Sequence, residues 1–143
     1  MRKISFIAVH CTAGNEKQTI ADLTAEFRRL GWKNPGYHYV VMRDGKVVEM
    51  LPVEKVSNGV KHWNHCLVNV AYIGGKDGTD NRTQEQKDAM RKLLRLLKTK
   101  FPDAIIKGHR DFSPDTNHNG KVDRWEWTKL CPCFEAMEEY KDL

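Results

Sequence analysis

The chain has 143 residues, a length at which one domain can bury a core of its own. Hydrophobic residues make up 40% and charged ones 30%, which excludes a disordered, collagen-like or low-complexity chain. Lys and Arg number 24 against 19 Asp and Glu, a mild basic excess that suits approach to a polyanion such as a bacterial wall polymer and equally suits an ordinary basic surface.

The N-terminal "MRKISFIAVHCTAG" starts basic, but its apolar stretch is short and ends in His10, so it reads as a first strand rather than a secretion signal. In "TIADLTAEFRRLGW", Ile20, Leu23, Phe27 and Leu30 fall at helical spacing and Gly31 supplies a stop. "GYHYVVMRDGKVVEML" places two alternating apolar runs around Asp44-Gly45, the pattern of a β-hairpin. Residues 52–66 read as a loop turning at Asn58-Gly59, and "LVNVAYIGG" as a further strand closed by two glycines. "TQEQKDAMRKLLRLLKTKF" predicts a long helix. Thr83 and Gln86 form a capping box, and Met90, Leu93, Leu94 and Leu97 make the apolar stripe. "DAIIKG" returns as a short strand delivering His109, and "FEAMEEYKDL" closes the chain as a short helix. With no repeat and no linker, residues 1–143 are expected to form a single α/β domain, a central mixed sheet of about five strands flanked by helices. No apolar run approaches the roughly 20 residues that cross a bilayer, and no Lys/Arg block or nucleic-acid motif stands out. Neither membrane insertion nor nucleic-acid binding is therefore expected.

Two histidines, His10 and His109, end predicted core strands, and strand ends on one edge of an α/β sheet favour a site. A lone histidine there is more often a packed residue. Two of them with a thiolate would make a three-ligand zinc site with an open position, the catalytic rather than the structural pattern. The four cysteines (Cys11, Cys66, Cys131 and Cys133) lack the spacing of a small disulfide framework, so reduced thiols are expected. Spacing leaves both Cys131 and Cys133 as candidates for the third ligand, while Cys11 should point to the other side of its strand from His10.

In chain order, "VHCTAG", "GYHYVVMRDG", "WNHCLVNVAYIGG", "GHRD" and "KLCPCF" resemble the zinc-dependent N-acetylmuramoyl-L-alanine amidases of the phage-lysozyme type, whose fold is shared with the peptidoglycan recognition proteins. The resemblance runs from about Ile7 to Phe134. It implies zinc held by His10, His109 and the cysteine of a Cys-Pro-x-Phe motif, which is Cys131 rather than Cys133. It places the family's catalytic tyrosine on Tyr37 and its catalytic lysine on Lys129, and its groove asparagine on Asn64. Many relatives carry a histidine at about the position of Gly59; this chain lacks it, and His62, three residues later, is the candidate to take its place. The implied activity is hydrolysis of the amide between N-acetylmuramic acid and L-alanine in peptidoglycan, by a monomer made in the cytoplasm and released to the wall as an endolysin. The rival readings are a peptidoglycan-binding module that does not cleave, and a calcium-binding regulatory protein.

That last reading comes from "DTNHNGKVDRWE", an insertion ahead of the zinc cysteine. Set against the twelve-residue calcium loop, Asp115, Asn117, Asn119, Asp123 and Glu126 fall on side-chain ligand positions. Gly120 falls on the turn, and Lys121 on the carbonyl position. The segment 115–126 is thus a candidate calcium loop, with zinc and calcium as the two expected metals. The plainer alternative is a polar loop closed by Asx turns.

Overall fold

The computed structural model describes residues 2–143. Five strands run in chain order as β1 (Phe6–Cys11), β2 (Tyr39–Val41), β3 (Val47–Glu49), β4 (Leu67–Tyr72) and β5 (Ile105–Gly108). They form one sheet in the order β3-β2-β4-β1-β5. Strands β1, β2, β4 and β5 are parallel where they pair, and β3 closes the hairpin antiparallel to β2. The helices are α1 (Ile20–Arg29), α2 (Gln84–Lys100) and the short α3 (Ala136–Glu139). The fold is the expected mixed sheet with flanking helices.

Local chemistry explains the elements. Thr19 caps α1 and exchanges hydrogen bonds with Asp22, while Thr83 and Gln86 do the same for α2, each cap contributing about 1 kcal/mol. Gly45 sits at a φ of +90° in the β2–β3 turn, where a side chain would be strained. Strand β4 is buried on both faces, as befits the middle strand of a covered parallel sheet.

Alternation then sorts the core. Ile7, Val9 and Cys11 of β1, with Val68, Val70 and Tyr72 of β4, pack on the α2 stripe of Met90, Leu93, Leu94 and Leu97. On the opposite face Leu23 and Phe27 of α1 pack against Val40 and Ile73. His10 and Asn69 belong to this second face and are fully buried there. The C-terminal segment is tied down by Arg82, which pairs with Asp80 at 2.9 Å and Glu139 at 2.7 Å and lies 3.5 Å over the Phe134 ring. That clamp fixes the chain just beyond Cys131. Among the described residues, no helix is long and apolar enough to cross a membrane.

Candidate active site

Parallel pairing puts the two histidines side by side. Val9 is in register with Gly108, so the next positions, His10 and His109, leave adjacent strands at the same sheet edge. Their Nδ1 atoms lie 3.2 Å apart. Cys131 completes the group: one donor atom from each of His10, His109 and Cys131 falls within 4.8 Å of the others. Among the described residues, these are the one set of three or more His, Cys, Asp and Glu side chains gathered in this way.

Cys131 is not on a regular element, so its position depends on specific bonds. Its carbonyl accepts from Arg110 N–H at 2.9 Å, directly beside His109, and its Sγ accepts from Cys11 N–H at 3.1 Å. The Tyr72 hydroxyl donates to the Pro132 carbonyl at 2.7 Å. Cys133 points away from the cluster, with its Sγ 3.7 Å from Cys11 Sγ, so the structure separates the two candidate thiols in favour of Cys131. Cys11 lies on the α2 face, as alternation requires.

Electrostatics favour neutral imidazoles. Burial pushes His10 down to about 4, against a hydrogen bond with Asn69 that works the other way. Burial, then the neighbouring His10 and Lys129, push His109 down to about 3. Two neutral imidazoles and a thiol, with ring nitrogens facing each other, form the mixed nitrogen and sulfur set that suits zinc.

The cluster forms the floor of a cavity of about 580 Å³. Tyr37, Asn64 and Lys129 also line it, and α1 supplies Glu26, Phe27 and Leu30 to its wall. The Tyr37 ring sits 5.3 Å from that of His10, and its hydroxyl donates to the Cys11 carbonyl at 3.4 Å. Burial raises the Tyr37 phenol well above its ordinary value, so it remains a proton donor at neutral pH. Asn64 Oδ1 accepts from Gly59 N–H at 3.0 Å and Val60 N–H at 2.7 Å, fixing the groove loop. His62 is exposed, adopts a φ of +76° and does not reach the cavity; Lys61 beside it does.

Residues 115–126 behave differently. Asp115 accepts from Gly120 N–H at 2.8 Å, and Asn119 Nδ2 donates to Asp123 at 2.8 Å. Glu126 is buried; one of its oxygens accepts from Asp123 N–H at 2.7 Å and the other from Thr116 Oγ1 at 3.0 Å. The Asp123 N–H is also what chiefly holds the Glu126 carboxyl below its usual range. The carboxylates therefore serve the loop's own donors and are not gathered around one point. Lys121 N–H donates to Asn119 Oδ1 at 2.9 Å, one more Asx-type closure of this loop.

Sequence reasoning missed Asn69. This fully buried asparagine on β4 is within 2.8 Å of His10 Nε2. The signal was there, because an amide in an otherwise apolar central strand must find partners.

The geometry thus defines a class: an α/β domain carrying a nitrogen and sulfur metal-type centre at the parallel edge of its sheet, open to a cleft. A family profile described as N-acetylmuramoyl-L-alanine amidase matches residues 1–132. The endolysin of Klebsiella phage KP32 is 31% identical over 134 residues, 90% of this chain and 88% of its own length. That of Escherichia phage T7 is 30% identical over 129 residues, 86% and 85% respectively. Among solved structures, the Ph2119 endolysin from Thermus scotoductus MAT2119 bacteriophage Ph2119 superposes with a TM-score of 0.79 at 21% identity, covering 99% of this chain and 85% of that one. PGRP-SA of Apis mellifera gives 0.72 at 17% identity, covering 99% and 84%. The chain belongs to the N-acetylmuramoyl-L-alanine amidase family, in the group whose fold phage endolysins share with peptidoglycan recognition proteins.

Proposed function

We propose that this protein is a zinc-dependent peptidoglycan amidase that cuts between the lactyl group of N-acetylmuramic acid and L-alanine, acting on the wall after release from the cytoplasm. The observation that carries the reading is the His10, His109 and Cys131 cluster on the floor of a cleft that Tyr37 and Lys129 also line. Zinc held by these three side chains would supply Lewis acidity at the scissile carbonyl and an acidified water. The chain's own groups do the rest. Tyr37, kept protonated by burial, and Lys129 donate to the oxyanion that develops on the carbonyl. One of the two passes a proton to the leaving amine. Asn64 and the loop it braces shape the groove for the stem peptide, with Lys61 on the same wall.

The binding-module reading keeps the cleft but has no use for the thiol, which the cluster retains. Product analysis decides between them. Digestion of purified peptidoglycan should release stem peptides with a free L-alanine amine and leave the glycan strands intact. Retention of peptides on the glycan, or new reducing ends in place of new amines, would contradict the amidase reading.

The 115–126 loop is proposed as an accessory calcium site. Its support is the ligand register of Asp115, Asn117, Asn119, Asp123 and Glu126, the Lys121 carbonyl position, and the sharp turn at Gly120, whose φ is +82°. Calcium would replace the loop's internal donors on Glu126 and pin the insertion ahead of Lys129 and Cys131.

A further inference from the structure

Behind His10 runs a buried polar chain that none of the catalytic roles above uses. His10 Nε2 lies 2.8 Å from Asn69 Oδ1, Asn69 Nδ2 lies 2.7 Å from Ser57 Oγ, and Ser57 Oγ lies 3.0 Å from His38 Nδ1. The chain ends on the backbone, with His38 Nε2 at 2.7 Å from the Lys55 carbonyl. All four side chains are essentially inaccessible to solvent. Four polar groups placed in a core need a reason, because each must be fully hydrogen-bonded to be tolerated there.

A backbone N–H can only donate, and Asn69 N–H lies 2.9 Å from His38 Nδ1, so this nitrogen accepts and the neutral ring carries its proton on Nε2. His38 Nε2 donates to the Lys55 carbonyl, with the Arg2 guanidinium 3.1 Å from the same nitrogen. His38 Nδ1 also receives the Ser57 hydroxyl. With its proton committed to His38, Ser57 accepts from Asn69 Nδ2, which turns Asn69 Oδ1 towards His10. His10 Nε2 then carries the proton, and His10 Nδ1, the atom facing His109, is left with a bare lone pair. The opposite amide orientation would set the Ser57 and His38 lone pairs against each other at 3.0 Å.

We propose that Asn69 is a positioning residue for the metal centre, held by Ser57 and His38 so that His10 presents an unprotonated Nδ1 to the ion. The proposal rests on reading His10, His109 and Cys131 as a zinc site. Gly59 belongs to the same device. A Cβ built on Gly59 would lie 2.3 Å from Asn69 Oδ1, so the amide occupies space that any side chain at 59 would claim.

Two readouts test this without any peptidoglycan. In metal-free protein, long-range nitrogen NMR of labelled histidines should show His10 as the Nε2–H tautomer; an Nδ1–H tautomer would overturn the proposal. Zinc affinity, measured by competition with a chromogenic chelator, should fall about 10- to 100-fold in Asn69→Leu. Asn69→Asp, which keeps an oxygen facing His10, should hold affinity within a few-fold of the native chain. Gly59→Ala, which displaces that oxygen without touching a ligand, should resemble Asn69→Leu. Equal loss in Asn69→Leu and Asn69→Asp would show a packing effect and overturn the proposal, as would native affinity in Asn69→Leu. A chain that passed these tests yet released no muropeptide would refute the amidase reading and leave this one standing.

Discussion

Two stretches of this chain look like metal sites, and the fold treats them in opposite ways. At His10, His109 and Cys131 the donors sit on or beside strands whose backbone is already paired, and the groups around them meet their own hydrogen-bonding needs. The ligand-type atoms are thereby left facing one another. At 115–126 the oxygens that would bind an ion are spent on the loop's own amides and hydroxyl, with Glu126 accepting on both oxygens. A ligand register in sequence becomes a prepared site only where the scaffold satisfies the ligands' neighbours by other means.

The contrast can be broken in three places. The largest effect is expected at Tyr37. Tyr37→Phe removes one donor to the developing oxyanion and should lower kcat about 100- to 1,000-fold with zinc content unchanged. Loss of zinc in that variant would mean that the cluster does not stand independently of the groove. A smaller effect concerns the neutral imidazoles. His10 and His38 are pushed down to about 4 and His109 to about 3, all chiefly by burial. Their depressed folded values mean that the unfolded chain binds more protons, so stability is fully present above about pH 6.5. It is lost as pH falls through 4 towards 3. Melting of the metal-free protein should track that window, and a flat profile between pH 6.5 and 4 would contradict the buried, neutral assignment. The smallest effect lies in the loop. A calcium chelator too weak to strip zinc should lower the melting temperature of the native chain by a few degrees and leave Glu126→Gln unmoved. Identical melting with and without calcium would remove the accessory site.

Much of this was readable from the sequence, and the gaps have physical reasons. The capping boxes at Thr19 and Thr83, the Asp44-Gly45 turn and the alternation through β1 are local signals, and the elements follow them. His10 and His109 could be placed at strand ends because pairing is parallel and the edge is shared. The choice between Cys131 and Cys133 could not be read from spacing. It depends on bonds from Arg110 and Cys11 to residues more than 20 positions away. His62 fails to reach the groove for a local reason, a left-handed backbone that turns it outward and leaves Lys61 on the wall. The Asn69 network was hidden because its members come from four separate segments and meet only in the fold.

The central claim is that His10, His109 and Cys131 together hold a zinc ion, and metal content tests it most directly. Elemental analysis of dialysed protein should find one zinc per chain in the native sequence and in Cys133→Ser, and none in Cys131→Ser. Full zinc content in Cys131→Ser, or its loss in Cys133→Ser alone, would contradict the account.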